Sequence, residues 1–162
     1  MPISLQPSRV QRGMMLIEAL IGILLFSIGI LAMVALQASS IAATSDAKYR
    51  VEALNLANQI LGEMSTGINR TSEASIQAGL MTFEHMAGNA SSTCDFEDGT
   101  ASANAKVTAW SDVVAGALPN AQQQIDVNVG ASNQVTVTIC WRPPSDLAAA
   151  DARRYVVVTN IN

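Results

Sequence analysis

Histidine occurs once in this chain, at His85, and that scarcity removes much chemistry at the outset. No Cys–His or Ser–His–Asp arrangement stands out in the sequence as a candidate for nucleophilic catalysis. The two cysteines, Cys94 and Cys140, lack C-x-x-C spacing, and no group of His and Cys offers a zinc or redox site. No glycine-rich phosphate loop is present. Asp95, Glu97 and Asp98 precede Gly99, but a calcium loop needs more oxygen ligands at regular spacing, so they read as an acidic exposed loop. A lone histidine in a polar stretch reads as a surface side chain. These absences point away from an enzyme and from any cofactor or metal.

Charge is also scarce. Only 14% of the 162 residues are charged, with 9 Lys and Arg against 13 Asp and Glu. Such a balance excludes a strongly basic nucleic-acid surface, and Arg153-Arg154 is the only adjacent basic pair. Aromatic residues make up 4% of the chain. Trp110 and Trp141 read as core or half-buried residues. Proline is absent between Pro7 and Pro119, which leaves room for an unbroken helix.

The first half of that proline-free stretch is almost free of charge. From Met14 to Leu36 the single charged residue is Glu18. As a helix this run is about 35 Å long, enough to cross a hydrocarbon core of about 30 Å. The preceding Met1–Gly13 carries Arg9 and Arg12 and no acid, so the positive-inside bias keeps it cytoplasmic and places the rest of the chain across the membrane. Glu18 is costly inside an apolar span unless it finds a partner, and the span holds no Lys, Arg or His. If the chain is cut after Gly13, the new α-amino group of Met14 lies about one helical turn from Glu18, within reach of a pair in the same chain or with a neighbouring subunit. Two plainer readings compete. A secretory signal peptide cut near Ala38, Ala42 or Ala43 would have a shorter apolar region and no Glu. An uncut signal anchor explains the length and the arginines but not the spacing of Gly13 and Glu18.

Gly13 followed by Met14-Met15-Leu16-Ile17-Glu18-Ala19-Leu20 closely resembles the processing signal of type IV pilins and of type II secretion pseudopilins. The family pattern is a short basic leader, a Gly, a hydrophobic first mature residue and a Glu at the fifth mature position. The resemblance implies cleavage after Gly13 by a prepilin peptidase and N-methylation of Met14. It also implies retention in the inner membrane by the apolar helix, and later packing of that helix into a filament with Glu18 as the assembly residue. Two features depart from the pattern. The first mature residue is Met14, where the family most often has Phe, and the span lacks the helix-bending Pro of many major pilins. Loss of the leader removes two arginines and leaves seven basic against thirteen acidic residues, a net charge near −6.

Beyond Gln37 the helix pattern becomes one-sided. Val51, Leu54, Leu61, Met64 and Ile68 recur at helical spacings, with Leu56 and Ile60 widening the stripe. The expectation is one long helix over 14–66, whose stripe is covered by a sheet. Gly67 to Gly99 is irregular by composition, with a short helix from Ser72, as N-cap, to Leu80. Asn69-Arg70-Thr71 matches a glycosylation sequon, a weak signal in an apparently bacterial export context. Trp110, Val113, Val114 and Leu118 mark a second short helix, with Ser111 or Asp112 near its start and Pro119 at its end. Alternation over Gln124–Gly130 and Gln134–Trp141, separated by a turn at Gly130–Asn133, predicts a hairpin. Pro143-Pro144 ends its second strand, the alanines and Asp151 form a loop or helical turn, and a third strand spans Arg154–Ile161. In an exported domain Cys94 and Cys140 read most simply as one disulfide, and in a cytosolic chain as two free thiols. The resemblance favours the disulfide, since many pilins staple the C-terminal part of the domain in this way.

The Trp-led helix ending in Leu118-Pro119 and the hairpin ending in Val137-Thr138-Ile139-Cys140-Trp141 resemble the minor pilins known as type IV pilus modification proteins, PilV. The expected fold class is α+β: a long N-terminal helix, transmembrane in its first half, packed on a small antiparallel sheet, as in type IV pilins. The expected organisation is a leader at 1–13, the long helix at 14–66 with its membrane and polymerisation part at 14–36, and a globular domain at 67–162. The implied partners are other minor and major pilins, the prepilin peptidase and the inner membrane, with a host surface or DNA met only through the assembled pilus. The implied location is the bacterial inner membrane with the domain in the periplasm, then the pilus fibre. A type II secretion pseudopilin and a membrane-anchored periplasmic binding module are the alternative readings.

Overall fold

A computed structural model describes residues 11–86, 94, 96, 99–143 and 152–162. The acidic loop residues Asp95, Glu97 and Asp98, Pro144, the alanines with Asp151, and most of the 1–13 leader fall outside the described residues. The fold is α+β, and among the described residues three helices are followed by three strands, α1 Gln11–Gly67, α2 Glu73–Met81, α3 Ala105–Ala117, β1 Gln122–Asn128, β2 Gln134–Trp141 and β3 Arg153–Asn160. The chain divides into two compact units, Met1–Ser45 and Asp46–Asn162. The described part of the first unit is helix alone, and the second holds the whole hydrophobic core.

Within the second unit the helical stripe is centred differently from expectation. Ala53, Leu56, Ala57, Ile60, Met64 and Ile68 are buried. Val51 is 58% exposed and Leu54 39% exposed, although both belong to the expected stripe. The reason is size. Ala53 and Ala57 are wholly buried where large side chains would hold the packed elements apart, so the apolar face runs through alanines and the larger residues beside them stay outside. Helix α1 carries no basic residue in its last turn. The ammonium of Lys106 lies beside Gly67 and supplies the cation that helix end favours.

Helix α2 starts as its sequence predicts. Ser72 is extended and its hydroxyl accepts the Ser75 N–H, Glu73 sits in the first turn, and Ile76 and Leu80 face inward one turn apart. Helix α3 begins earlier than expected. Asn104 caps it by accepting the Lys106 N–H at 3.0 Å, which places Ser111 and Asp112 in the middle of the helix. Its buried side chains Val107, Trp110 and Val114 follow the helical period. The helix stops at Leu118, which is extended (φ −118°, ψ 136°), because the pyrrolidine ring of Pro119 excludes helical backbone before it.

The strands form an antiparallel meander in the order β1-β2-β3. Strand β2 occupies the expected span, β1 begins two residues early, and β3 is shifted by one. Register sets Ile125 opposite Val137, and Val137 opposite Val157, on one face. Ile125, Val127, Val135, Val137 and Ile139 enter the core, each contributing about 1.5–3 kcal/mol by leaving water. The hairpin loop bends through positive φ at Ser132 and Asn133, a conformation that Asn tolerates well. Asn133 is buried and its amide donates to Glu73 at 2.7 Å, tying the hairpin to the start of α2. On the opposite face of β2, Cys140 forms a disulfide with Cys94, with Cα atoms 6.0 Å apart, and packs with Phe96 and Ala152.

Candidate assembly segment

Gly13 to Gly67 is one helix long and apolar enough to cross a membrane by length and composition. Every large apolar side chain from Met14 to Leu36 is 46–73% exposed. Two polar side chains interrupt this stretch. Ser27 is satisfied within the helix, where its hydroxyl donates to the Ile23 carbonyl at 2.7 Å. Glu18 is exposed, and none of the described residues pairs with it. Met14 and Glu18 lie one turn apart on the same helix face. Gly13 also lies inside α1, with open space where a Cβ would stand.

The remaining sequence candidates fall in the second unit. Cys94 and Cys140 are brought together as one disulfide. Trp110 and Trp141 are each 1% exposed, and the Trp110 indole N–H donates to the Leu56 carbonyl at 2.8 Å. Arg153 pairs with Asp46 at 3.1 Å in a half-exposed ion pair of the kind worth less than about 1 kcal/mol. Among the described residues no three His, Cys, Asp or Glu side chains gather to hold a metal ion.

His85 is the residue that sequence reasoning placed wrongly. It is 5% exposed, its Nδ1 accepts the Ser102 N–H at 3.1 Å, and burial lowers its pKa below 6.5. The cause is a single bridge in which His85 and Ile125 exchange both backbone hydrogen bonds at 2.9 Å. A pairing between residues forty positions apart leaves no local periodicity to read. No family model matches the chain, and neither the curated proteins nor the solved structures yield a match.

Proposed function

We propose that this chain is a minor structural subunit of a type IV pilus. In this reading a prepilin peptidase cuts after Gly13 and the new Met14 amine is methylated. The helix beyond it then holds the subunit in the inner membrane, with the Asp46–Asn162 unit on the periplasmic side, until it enters the fibre. The observation that carries the reading is the solitary Glu18 on an exposed apolar helix, five residues past Gly13. In such a helix every apolar side chain gains from packing on neighbouring helices. Glu18 gains only where a cation meets it, and the Met14 amine of an adjacent subunit is that cation. A subunit out of register leaves a charge buried and unpaired, a penalty that fixes axial position. The short α3 ending at Leu118-Pro119 and the hairpin ending at Cys140-Trp141 support the minor-pilin reading over that of a major one.

The test is the fate of an epitope-tagged chain in cells that make pili and also possess a type II secretion system. Recovery in sheared surface pili, with piliation reduced by deletion, is the expected result. Normal piliation with lost secretion assigns it to the pseudopilus instead. Retention in the membrane with neither phenotype makes it an anchored module.

A further inference from the structure

Beyond α2 the chain runs extended from Glu84 to Met86, and the segment Gly99–Asn104 returns alongside it. Two hydrogen bonds join the two, and two more tie the returning segment to Thr82 at the end of α2. The Met86 N–H donates to the Thr100 carbonyl at 3.0 Å, the Ser102 hydroxyl to the Thr82 carbonyl at 2.8 Å, the Asn104 amide to the Thr82 hydroxyl at 3.3 Å, and the Ser102 N–H to His85 Nδ1 at 3.1 Å. Only the last of these needs a neutral side chain. To accept at Nδ1 the imidazole must carry its proton on Nε2, and Nε2 is buried with no acceptor.

We infer that His85 is an acid-sensitive latch, whose neutral imidazole fastens Gly99–Asn104 to the turn after α2 and to β1, and whose protonation releases that segment. A proton on Nδ1 sets one donor against another at Ser102 and leaves a buried cation with nothing to accept from it. Among the described residues the charged groups do not compensate. Gly99–Asn104 has no titratable side chain. In the bridge to Ile125 the His85 side chain shares the core face with Ile125, so Glu84 and Asp126, its neighbours on the two strands, point to the opposite face. Helix α3 carries Lys106, whose ammonium lies with Phe83 against Gly67 and is itself a cation, and Asp112 further along. On α1, Glu63 lines a groove with Lys106.

The sign follows from burial. The released segment binds a proton near the ordinary histidine pKa of 6.5, and the closed one only below it. The latch is therefore at full strength above pH 6.5 and weakens as pH falls through the lowered value. What it controls is the wall of an open groove of about 970 Å³ lined by Thr82, Glu84, Met86 and Gly99–Asn104.

The experiment is amide hydrogen exchange and imidazole NMR on the full-length, isotope-labelled chain in detergent micelles, from about pH 7.5 to about pH 4.5. After correction for intrinsic exchange, protection of the Ser102 amide is expected to fall several-fold as pH drops below 6.5, over the range that ends with His85 protonation, while Val137 and Ile139 keep theirs. His85→Gln, which keeps an acceptor that does not titrate, is expected to abolish the pH dependence at Ser102. Unchanged protection down to the lowest pH overturns the latch, as does a His85 midpoint at or above 6.5. If the variant does not fold, the wild-type midpoints still decide: loss at Ser102 that follows carboxylate titration rather than the imidazole overturns it as well.

Discussion

The indole N–H of Trp110 donates to the backbone carbonyl of Leu56 at 2.8 Å, joining α3 to α1 across 54 residues of chain. Both groups are buried, and the Leu56 carbonyl already serves the α-helical ladder, so the indole attaches one helix to the backbone of another without breaking either. Trp110→Phe keeps an aromatic body but loses this bond and leaves unfilled volume. It is expected to destabilise the domain by about 2–3 kcal/mol, read as a lower urea midpoint at unchanged slope.

Two glycines should respond to alanine with opposite signs. A Cβ on Gly99 would overlap the Cβ of Met86 and stand 3.0 Å from its carbonyl oxygen, so Gly99→Ala forces backbone apart and should cost about 1–3 kcal/mol. Gly116 lies inside α3 with nothing within 4 Å of a Cβ. There alanine removes unfolded-state freedom and should stabilise by about 0.5–1 kcal/mol. Paired thermal melts of the two variants check both signs.

The disulfide closes a loop over a sequence separation of 46. Replacing Cys94 and Cys140 together by serine should lower stability by about 4 kcal/mol on the chain-entropy view. Equilibrium unfolding of the double variant, beside the wild type with and without reductant, measures it.

Glu18→Ala should leave membrane insertion intact, because the helix becomes more apolar, and should sharply reduce incorporation into filaments. Immunoblots of membrane and sheared-pilus fractions separate the two effects. Normal incorporation would remove the pairing between Glu18 and the Met14 amine.

Much of the fold was legible because it is written in local periods. Val135, Val137 and Ile139 alternate strictly and placed β2, and Ser72 ahead of Glu73 placed α2. Legibility failed where tertiary packing overrides those periods. Ala53 and Ala57 hold the centre of the α1 stripe because close approach selects small side chains, whereas pattern reading weights Val51 and Leu54. Asn104 went unread as the α3 cap because Ala105, Lys106, Thr108 and Ala109 outnumber Val107 in the first turns and hide the apolar face. His85 is buried by a partner in β1. At the candidate site the signal lay in the sequence itself, in Gly13, Met14 and Glu18, while a partner for Glu18 is absent from its own chain among the described residues.

The most direct test is the intact mass and N-terminal sequence of the chain purified from membranes of cells with and without the prepilin peptidase. A start at Met14 bearing one additional methyl group, seen only when the peptidase is present, is the expected result. A start at Met1 in both strains, or one between Ala38 and Thr44, contradicts it.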